Sequence, residues 1–240
     1  MVTGASYGIG FAIASAFAKQ GATICFNDLN QDLVNKGLAA YKERGIEAHG
    51  YVCNVCDEAA VQEMVARIAK EVGTIDILVN NAGIIKRIPM HEMKAEEFRQ
   101  VIDVDLNAPF IVSKAVLPAM MEKGHGKIIN ICSMMSELGR ETVSAYAAAK
   151  GGSIAFVKSL AQEIGKYGIT VNGVAPGIVQ RGEITEQMKE HLSKTNFMGT
   201  YGTPEDIASM VLFLCSNKAS FITGQNIPVD GGRSLGLKEF

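Results

Sequence analysis

The chain has 240 residues, 48% of them hydrophobic, with a formal net charge of −2 and a sequence pI near 6.1. That length buries one large core, so a single α/β domain over 1–240 is expected, while the balanced charge and the lack of any long Lys/Arg run argue against nucleic acid as a partner. No stretch reaches the ~20 uninterrupted apolar residues that cross a bilayer, and the start lacks the charged-then-apolar pattern of a secretion signal; a cytoplasmic protein with no membrane partner is expected.

In chain order, Met1 and Val2 precede a glycine turn at 3–10, where a buried strand ordinarily supplies about five residues. The first strand is therefore expected to be clipped, with part of it upstream or missing. A helix of small residues follows at 11–20, then a β-branched run at 22–27, an amphipathic helix at 31–44, and a strand at 48–53. Next come a helix at 58–72, a strand at 75–80, a long helix at 95–123, a strand at 127–132 and a helix at 144–166. The chain closes with a strand at 170–174, a helix at 204–215 and a strand at 226–229. Strand and helix alternating in this way predict a doubly wound (Rossmann-type) parallel sheet with helices on both faces. Residues 180–203 are the least regular part. They follow the penultimate strand at the sheet end where ligands bind, and are expected to form a substrate lid.

Five cysteines are an odd number. Cys25 and Cys132 sit in apolar strand patterns, and Cys53 and Cys56 form a C-x-x-C with no second pair or His to complete a metal shell, so reduced thiols and no metal are expected.

The turn Thr3-Gly4-Ala5-Ser6-Tyr7-Gly8-Ile9-Gly10 opens into a helix. Glycines there let the backbone turn tightly and approach a pyrophosphate, with helix N-terminal amides aimed at its charge. Asp28 ends the next strand, at the distance where a carboxylate receives ribose hydroxyls. It repels a 2′-phosphate, and Tyr7 brings no compensating cation. Electrostatics therefore favour NAD over NADP.

Tyr146 and Lys150 are i and i+4 on one helix face. An adjacent ammonium and a cationic nicotinamide favour the phenolate, which makes Tyr146 a credible base. Ser133, at the end of an apolar strand, is placed to hydrogen-bond the same substrate oxygen.

Together these motifs resemble the short-chain dehydrogenase/reductase family over essentially the whole chain. The family pattern T-G-x-x-x-G-x-G is met by Thr3 to Gly10, N-N-A-G by Asn80 to Gly83, and Y-x-x-x-K by Tyr146 and Lys150 with Ser133 ahead of them. Pro176-Gly177 and Asp230-Gly231-Gly232 fit as well. The resemblance implies an NAD(P)-dependent oxidoreductase acting on a secondary alcohol or ketone. Tyr146 would be its acid/base, Ser133 the orienter of the substrate oxygen, and Lys150 the holder of the nicotinamide ribose. It further implies cofactor contacts from Gly4, Ser6, Tyr7, Gly8, Ile9, Gly10, Asp28, Asn54, Val55, Asn81, Ala82, Gly83, Pro176, Gly177 and Val179. A homotetramer built through the two long helices is also implied.

Three positions depart from the family pattern. Asp105 stands in the catalytic set where many members carry Asn, and an ionised Asp cannot donate as an amide does. Asn54 replaces the Asp that meets adenine, and its amide oxygen is expected to accept instead. Arg181 replaces a Thr that touches the nicotinamide amide.

Residues 80–87, 103–110 and 132–137 most resemble gluconate 5-dehydrogenases, which also allow NADP. The expected substrate pair is D-gluconate and 5-keto-D-gluconate, with Arg87 gripping the carboxylate in bidentate fashion and Met135 lining the pocket. The competing readings are a 3-oxoacyl-[acyl-carrier-protein] reductase or another polyol dehydrogenase, and a dinucleotide-binding sensor without turnover.

Overall fold

The computed structural model describes residues 1–180 and 185–236. Seven strands form one sheet: β1 (Val2–Thr3), β2 (Ile24–Asp28), β3 (Ala48–Val52), β4 (Ile77–Asn80), β5 (Gly126–Ile131), β6 (Ile169–Pro176) and β7 (Asn226–Val229). Their order is β3-β2-β1-β4-β5-β6-β7, and every neighbouring pair is parallel. The helices are α1 (Gly8–Ala18), α2 (Gln31–Glu43), α3 (Glu58–Glu71), α4 (Ala95–Ile102), α5 (Ala108–Lys123), α6 (Met135–Leu138), α7 (Ser144–Ile164), α8 (Glu186–Ser193) and α9 (Pro204–Cys215).

Consecutive strand residues point to opposite faces, and both faces are apolar. Leu78, Ile128 and Val171 pack under α3, α5 and α7 with Val61, Val112, Val116 and Val157. Val79, Ile129 and Val174, which point to the opposite face, pack under α1, α2 and α9 with Ile13, Val34 and Val211. Two cores with helices on each side are the doubly wound architecture that the strand–helix rhythm predicts. The chain reverses its direction across the sheet between β1 and β4, so the C-terminal strand ends there open the crevice where such folds bind ligands.

The first strand is as short as expected, yet it sits mid-sheet: Val2 is in register with Phe26 on one side and Val79 on the other. Extra order comes from a buried amide chain. Asn80 Nδ2 donates to Ser113 Oγ (3.1 Å) and Asn130 Oδ1 (2.8 Å), and Asn130 Nδ2 donates to Ser153 Oγ (3.4 Å), tying β4 and β5 to α5 and α7.

Three elements differ from the sequence reading. β6 runs on to Pro176 because Pro, lacking an N–H, is tolerated at a strand end; there it pairs with Val229. The expected helix 95–123 is broken by a π-turn, Asp103–Asn107, in which Ala108 N–H reaches Asp103 O five residues back. By length and composition alone the run Ala95–Lys123 could cross a membrane, but its Val112, Val116 and Met120 are buried against the sheet. In the expected lid, residues 181–184 lie outside the described residues; beyond them the segment includes α8, followed by turns up to α9.

Candidate active site

The glycine turn is locked from three sides. Thr3 Oγ1 accepts from the backbone of Asn81 (2.9 Å) and Ala82 (3.0 Å), and Asn81 Nδ2 donates back to Thr3 O and Gly4 O, both at 2.9 Å. Tyr41, fully buried, donates its hydroxyl to Ala5 O (2.8 Å). Gly4 has φ +59, and a Cβ there would lie 2.9 Å from Ala82 Cα; at Gly10 it would lie 2.5 Å from Asn81 Nδ2. Gly8, at φ +66, faces open space. No side chain caps α1, whose N-cap is the exposed Tyr7, so the amides of its first turn, at Gly8, Ile9 and Gly10, are free to meet an anion. Ser6 N–H donates to Asp28 Oδ2 (3.4 Å) and Leu29 N–H to Asp28 Oδ1 (2.9 Å), which sets the carboxylate at the rim of the turn. Glycines that exclude a Cβ, an uncapped helix start and a carboxylate at the next strand end together fit a dinucleotide.

Farther along this rim, Asn54 Oδ1 already accepts from Cys56 N–H (3.1 Å), leaving one lone pair for the expected adenine bond. The Val55 side chain is buried in the core.

Asp105, Tyr146 and Lys150 come together beyond β5, and Ser133 follows that strand by two residues. Ser133 is 8% exposed, and its Oγ accepts from Met135 N–H (3.1 Å), so its own proton is free to point elsewhere. Lys150 Nζ donates to Ile131 O (2.9 Å), lies 3.1 Å from Asp105 Oδ1 and stands 5.6 Å from the Tyr146 ring centre. Burial alone would pull the ammonium down; the Asp105 carboxylate, helped by Tyr146 and Cys132, holds it above the usual lysine range. Burial likewise pushes the Asp105 carboxyl up, opposed by Lys150 and the Ile84 amide.

Met135 joins Met134 and Val143 in a small buried cluster against Tyr146 and Ile178; its side chain is packed rather than open. Arg87 is exposed, on a loop whose next residue, Ile88, donates its N–H to Thr142 O (2.8 Å). That contact brings the loop against the segment leading into α7. Thr142 holds φ +65, the one non-glycine residue in the left-handed region among the described residues. Gly177 N–H bonds Val229 O (2.9 Å) just past Pro176, and a Cβ at Gly177 would fall 2.5 Å from Asp230 Cα. Val179 bridges to Gly202. Arg181 lies outside the described residues.

Sequence reasoning missed the direct Asp105–Lys150 pair, the Asn80–Asn130 chain and the Tyr41 latch. A Tyr on an otherwise apolar helix stripe was the one available signal for the last.

A profile of the family described as Enoyl-(Acyl carrier protein) reductase matches residues 4–234. The 2-dehydro-3-deoxy-D-gluconate 5-dehydrogenase of Formosa agariphila is 45% identical, over 97% of this chain and 90% of that protein. The chain belongs to the short-chain dehydrogenase/reductase family. Within the family, a 2-keto-3-deoxy-D-gluconate dehydrogenase structure from Streptococcus agalactiae is 56% identical with a TM-score of 0.84, covering 97% of this chain and 92% of that one. A gluconate 5-dehydrogenase structure from Burkholderia cenocepacia, in complex with NADP and tartrate, is 34% identical with a TM-score of 0.91, covering 98% and 94%. The 3-oxoacyl-[acyl-carrier-protein] reductase of Escherichia coli is 40% identical over 97% of this chain and 95% of its own. As a member of this family the chain is an NAD(P)-dependent oxidoreductase acting on CH–OH groups.

Proposed function

We propose that this enzyme interconverts a six-carbon sugar acid and its 5-keto form, D-gluconate and 5-keto-D-gluconate being the substrate pair. The observation that carries the reading is the buried Lys150 ammonium 5.6 Å from the Tyr146 ring, together with a Ser133 hydroxyl whose proton is unspent. Tyr146 takes the proton of the substrate hydroxyl, and Ser133 donates to the oxygen as it changes charge. A dinucleotide held by the Gly4–Gly10 turn and Asp28 would supply the hydride acceptor for oxidation and the hydride donor for reduction. Lys150 holds the ribose, while Met134, Met135 and Val143 keep water from the reacting face. Arg87 grips the acid end, where a planar guanidinium matches a carboxylate.

Asp28 favours NAD, because a 2′-phosphate would face a carboxylate; the NADP bound to the B. cenocepacia relative supports the alternative. A second substrate reading, 2-keto-3-deoxy-D-gluconate, is favoured by the two relatives of 45% and 56% identity that carry that name. The carrier-protein reductase reading has weaker support, since Gly124 and Tyr167 occupy two positions that are basic in such reductases. The outward face of α5 and α7, where the exposed Phe110 meets Phe156 edge-on at 6.4 Å, suits the tetramer, which sedimentation would test.

Steady-state rates with both dinucleotides against gluconate, 5-ketogluconate, 2-keto-3-deoxygluconate and an acetoacetyl thioester decide among these. Sugar-acid turnover at least tenfold above the thioester is expected, and the reverse ranking overturns the proposal.

A further inference from the structure

Among the ion pairs described, Asp105–Lys150 stands apart: its side chains are 0% and 6% exposed, whereas Lys86–Glu97, the next most buried, is 28% and 30% exposed. Each partner has a second fixed bond. Asp105 Oδ2 accepts from Ile84 N–H (3.0 Å), and Lys150 Nζ donates to Ile131 O (2.9 Å). Two donors, one from the loop after β4 and one from α7, thus converge on two acceptor oxygens. A carboxylate satisfies both, while an amide carries one acceptor and would turn its N–H groups toward the other donor. The widened π-turn Asp103–Asn107 carries Asp105 into this position, and Gly83 makes room for it: a Cβ there would sit 2.6 Å from Oδ1 and 3.7 Å from Nζ.

An ammonium removed from water gives up its proton unless a counter-charge holds it, and the Ile131 carbonyl offers only a dipole. The other titratable groups that act on the pair are Tyr146 from α7, Cys132 just past β5 and Cys56 after β3, whose thiol also feels Asp103 on the same π-turn. Burial raises both thiols, so among the groups that oppose the burial of the ammonium the Asp105 carboxylate acts most strongly.

We infer that Asp105 is a positioning residue that keeps Lys150 cationic at working pH by direct pairing, and does not donate in a proton relay. The inference rests on the reading of Tyr146 as the proton acceptor served by Lys150. Asp105 therefore sets the upper edge of the pH range in which that acceptor has its cation.

The test compares the full-length wild type with Asp105→Asn, which keeps size and removes charge. Chain labelled with ¹³C at lysine Cε, with the Lys150 signal assigned by its loss in Lys150→Arg, reports that amine's charge without any substrate. In the wild type the signal should stay at its charged position from about pH 6 to pH 10; in Asp105→Asn it should titrate inside that window, its midpoint lower by at least about one unit, a tenfold change in proton affinity. The kcat/KM profile of Asp105→Asn should gain a descending alkaline limb at that same midpoint. A purely structural defect would lower rates evenly at all pH values.

Should Asp105→Asn fail to fold, Gly83→Ala pushes the carboxylate off the ammonium while keeping its charge, and should show the same titration. A Lys150 signal that remains charged across the window in the variant that folds, with no new limb, overturns the inference. Absence of turnover with sugar acids in the wild type would instead remove the substrate reading and leave the resonance experiment decisive.

Discussion

Replacing Gly10 by Ala sets helix propensity against the geometry of the dinucleotide turn. Inside a helix such as α1, the added methyl ordinarily gains about 0.8–1 kcal/mol. Here its Cβ would fall 2.5 Å from Asn81 Nδ2, 2.9 Å from Gly4 O and 3.0 Å from Ala5 Cα, and the last two are backbone that cannot swing away. Asn81 must retreat and lose its bonds to Thr3 O and Gly4 O, at about 1 kcal/mol each, while the overpacked turn adds roughly 1–3 kcal/mol. The net effect is a destabilisation of about 2–4 kcal/mol, or roughly 4–15 °C in Tm for a chain of this size. Because the displaced amide spans the turn and the strand end that would cradle the dinucleotide, Kd for the cofactor should rise by about tenfold or more, a 1.4 kcal/mol effect. The chain has no tryptophan, so binding is followed by nicotinamide fluorescence or calorimetry, and stability by urea unfolding. Gly165→Ala is the control: that residue has φ −55 and ψ −35 and nothing within 4 Å of its would-be Cβ, so it should gain about 0.4–1 kcal/mol. If Gly10→Ala matched Gly165→Ala in stability and bound the dinucleotide like wild type, the interlock of turn and strand end would not exist.

Tyr146→Phe should cut kcat by about a hundredfold or more, as expected for removal of an acid/base group, while leaving cofactor affinity near wild type; a modest rate loss would unseat Tyr146 as proton acceptor. Arg87→Ala should raise KM for a sugar acid by about tenfold and leave a neutral polyol nearly unaffected, whereas equal changes would make Arg87 an ordinary surface residue. Asp28→Ala should raise the NADP/NAD ratio of kcat/KM by removing the charge opposite the 2′-phosphate, and an unchanged ratio would place the ribose elsewhere. Burial raises the Cys53 thiol to about 11 and Cys215 to about 12. The unfolded chain therefore sheds these protons first, and stability should fall as pH rises from about 8.5, the ordinary thiol value, toward those figures. Melting temperatures that stay flat across that interval would contradict the assigned burial.

Much of the fold was legible because both periodicities were clean. β5 sends Ile128 into one core and Ile129 into the other, as a strand covered by helices on two sides must, and the helix read at 31–44 starts at Gln31, where Asn30 accepts from Leu33 N–H. The glycine turn was legible for a similar reason: Gly4 and Gly10 stand where any Cβ would strike Ala82 or Asn81, so the requirement is written into residue identity. Tyr146 and Lys150 share a helix face by spacing alone, and Ser133 lies two residues past the end of β5.

Periodicity could not reveal what depends on contacts made across the fold. The π-turn at Asp103–Asn107 adds one residue to a helical repeat, and its residues read equally well as plain α-helix. The partners that give Asp105 a reason to face inward, the Ile84 amide and the Lys150 ammonium forty-five positions on, are distant in sequence. The departure from Asn was visible, but a single position does not say whether an exchanged carboxylate loses a function or gains a counter-ion. Burial decides between them. In water an Asp–Lys contact contributes little, whereas at 0% and 6% exposure removing either partner strands a charge, at a cost of about 3–5 kcal/mol. In this chain the pair must therefore be kept whole, so a substitution that looks like a defect in the pattern is, in three dimensions, a counter-ion added beside a lysine that the pattern already holds.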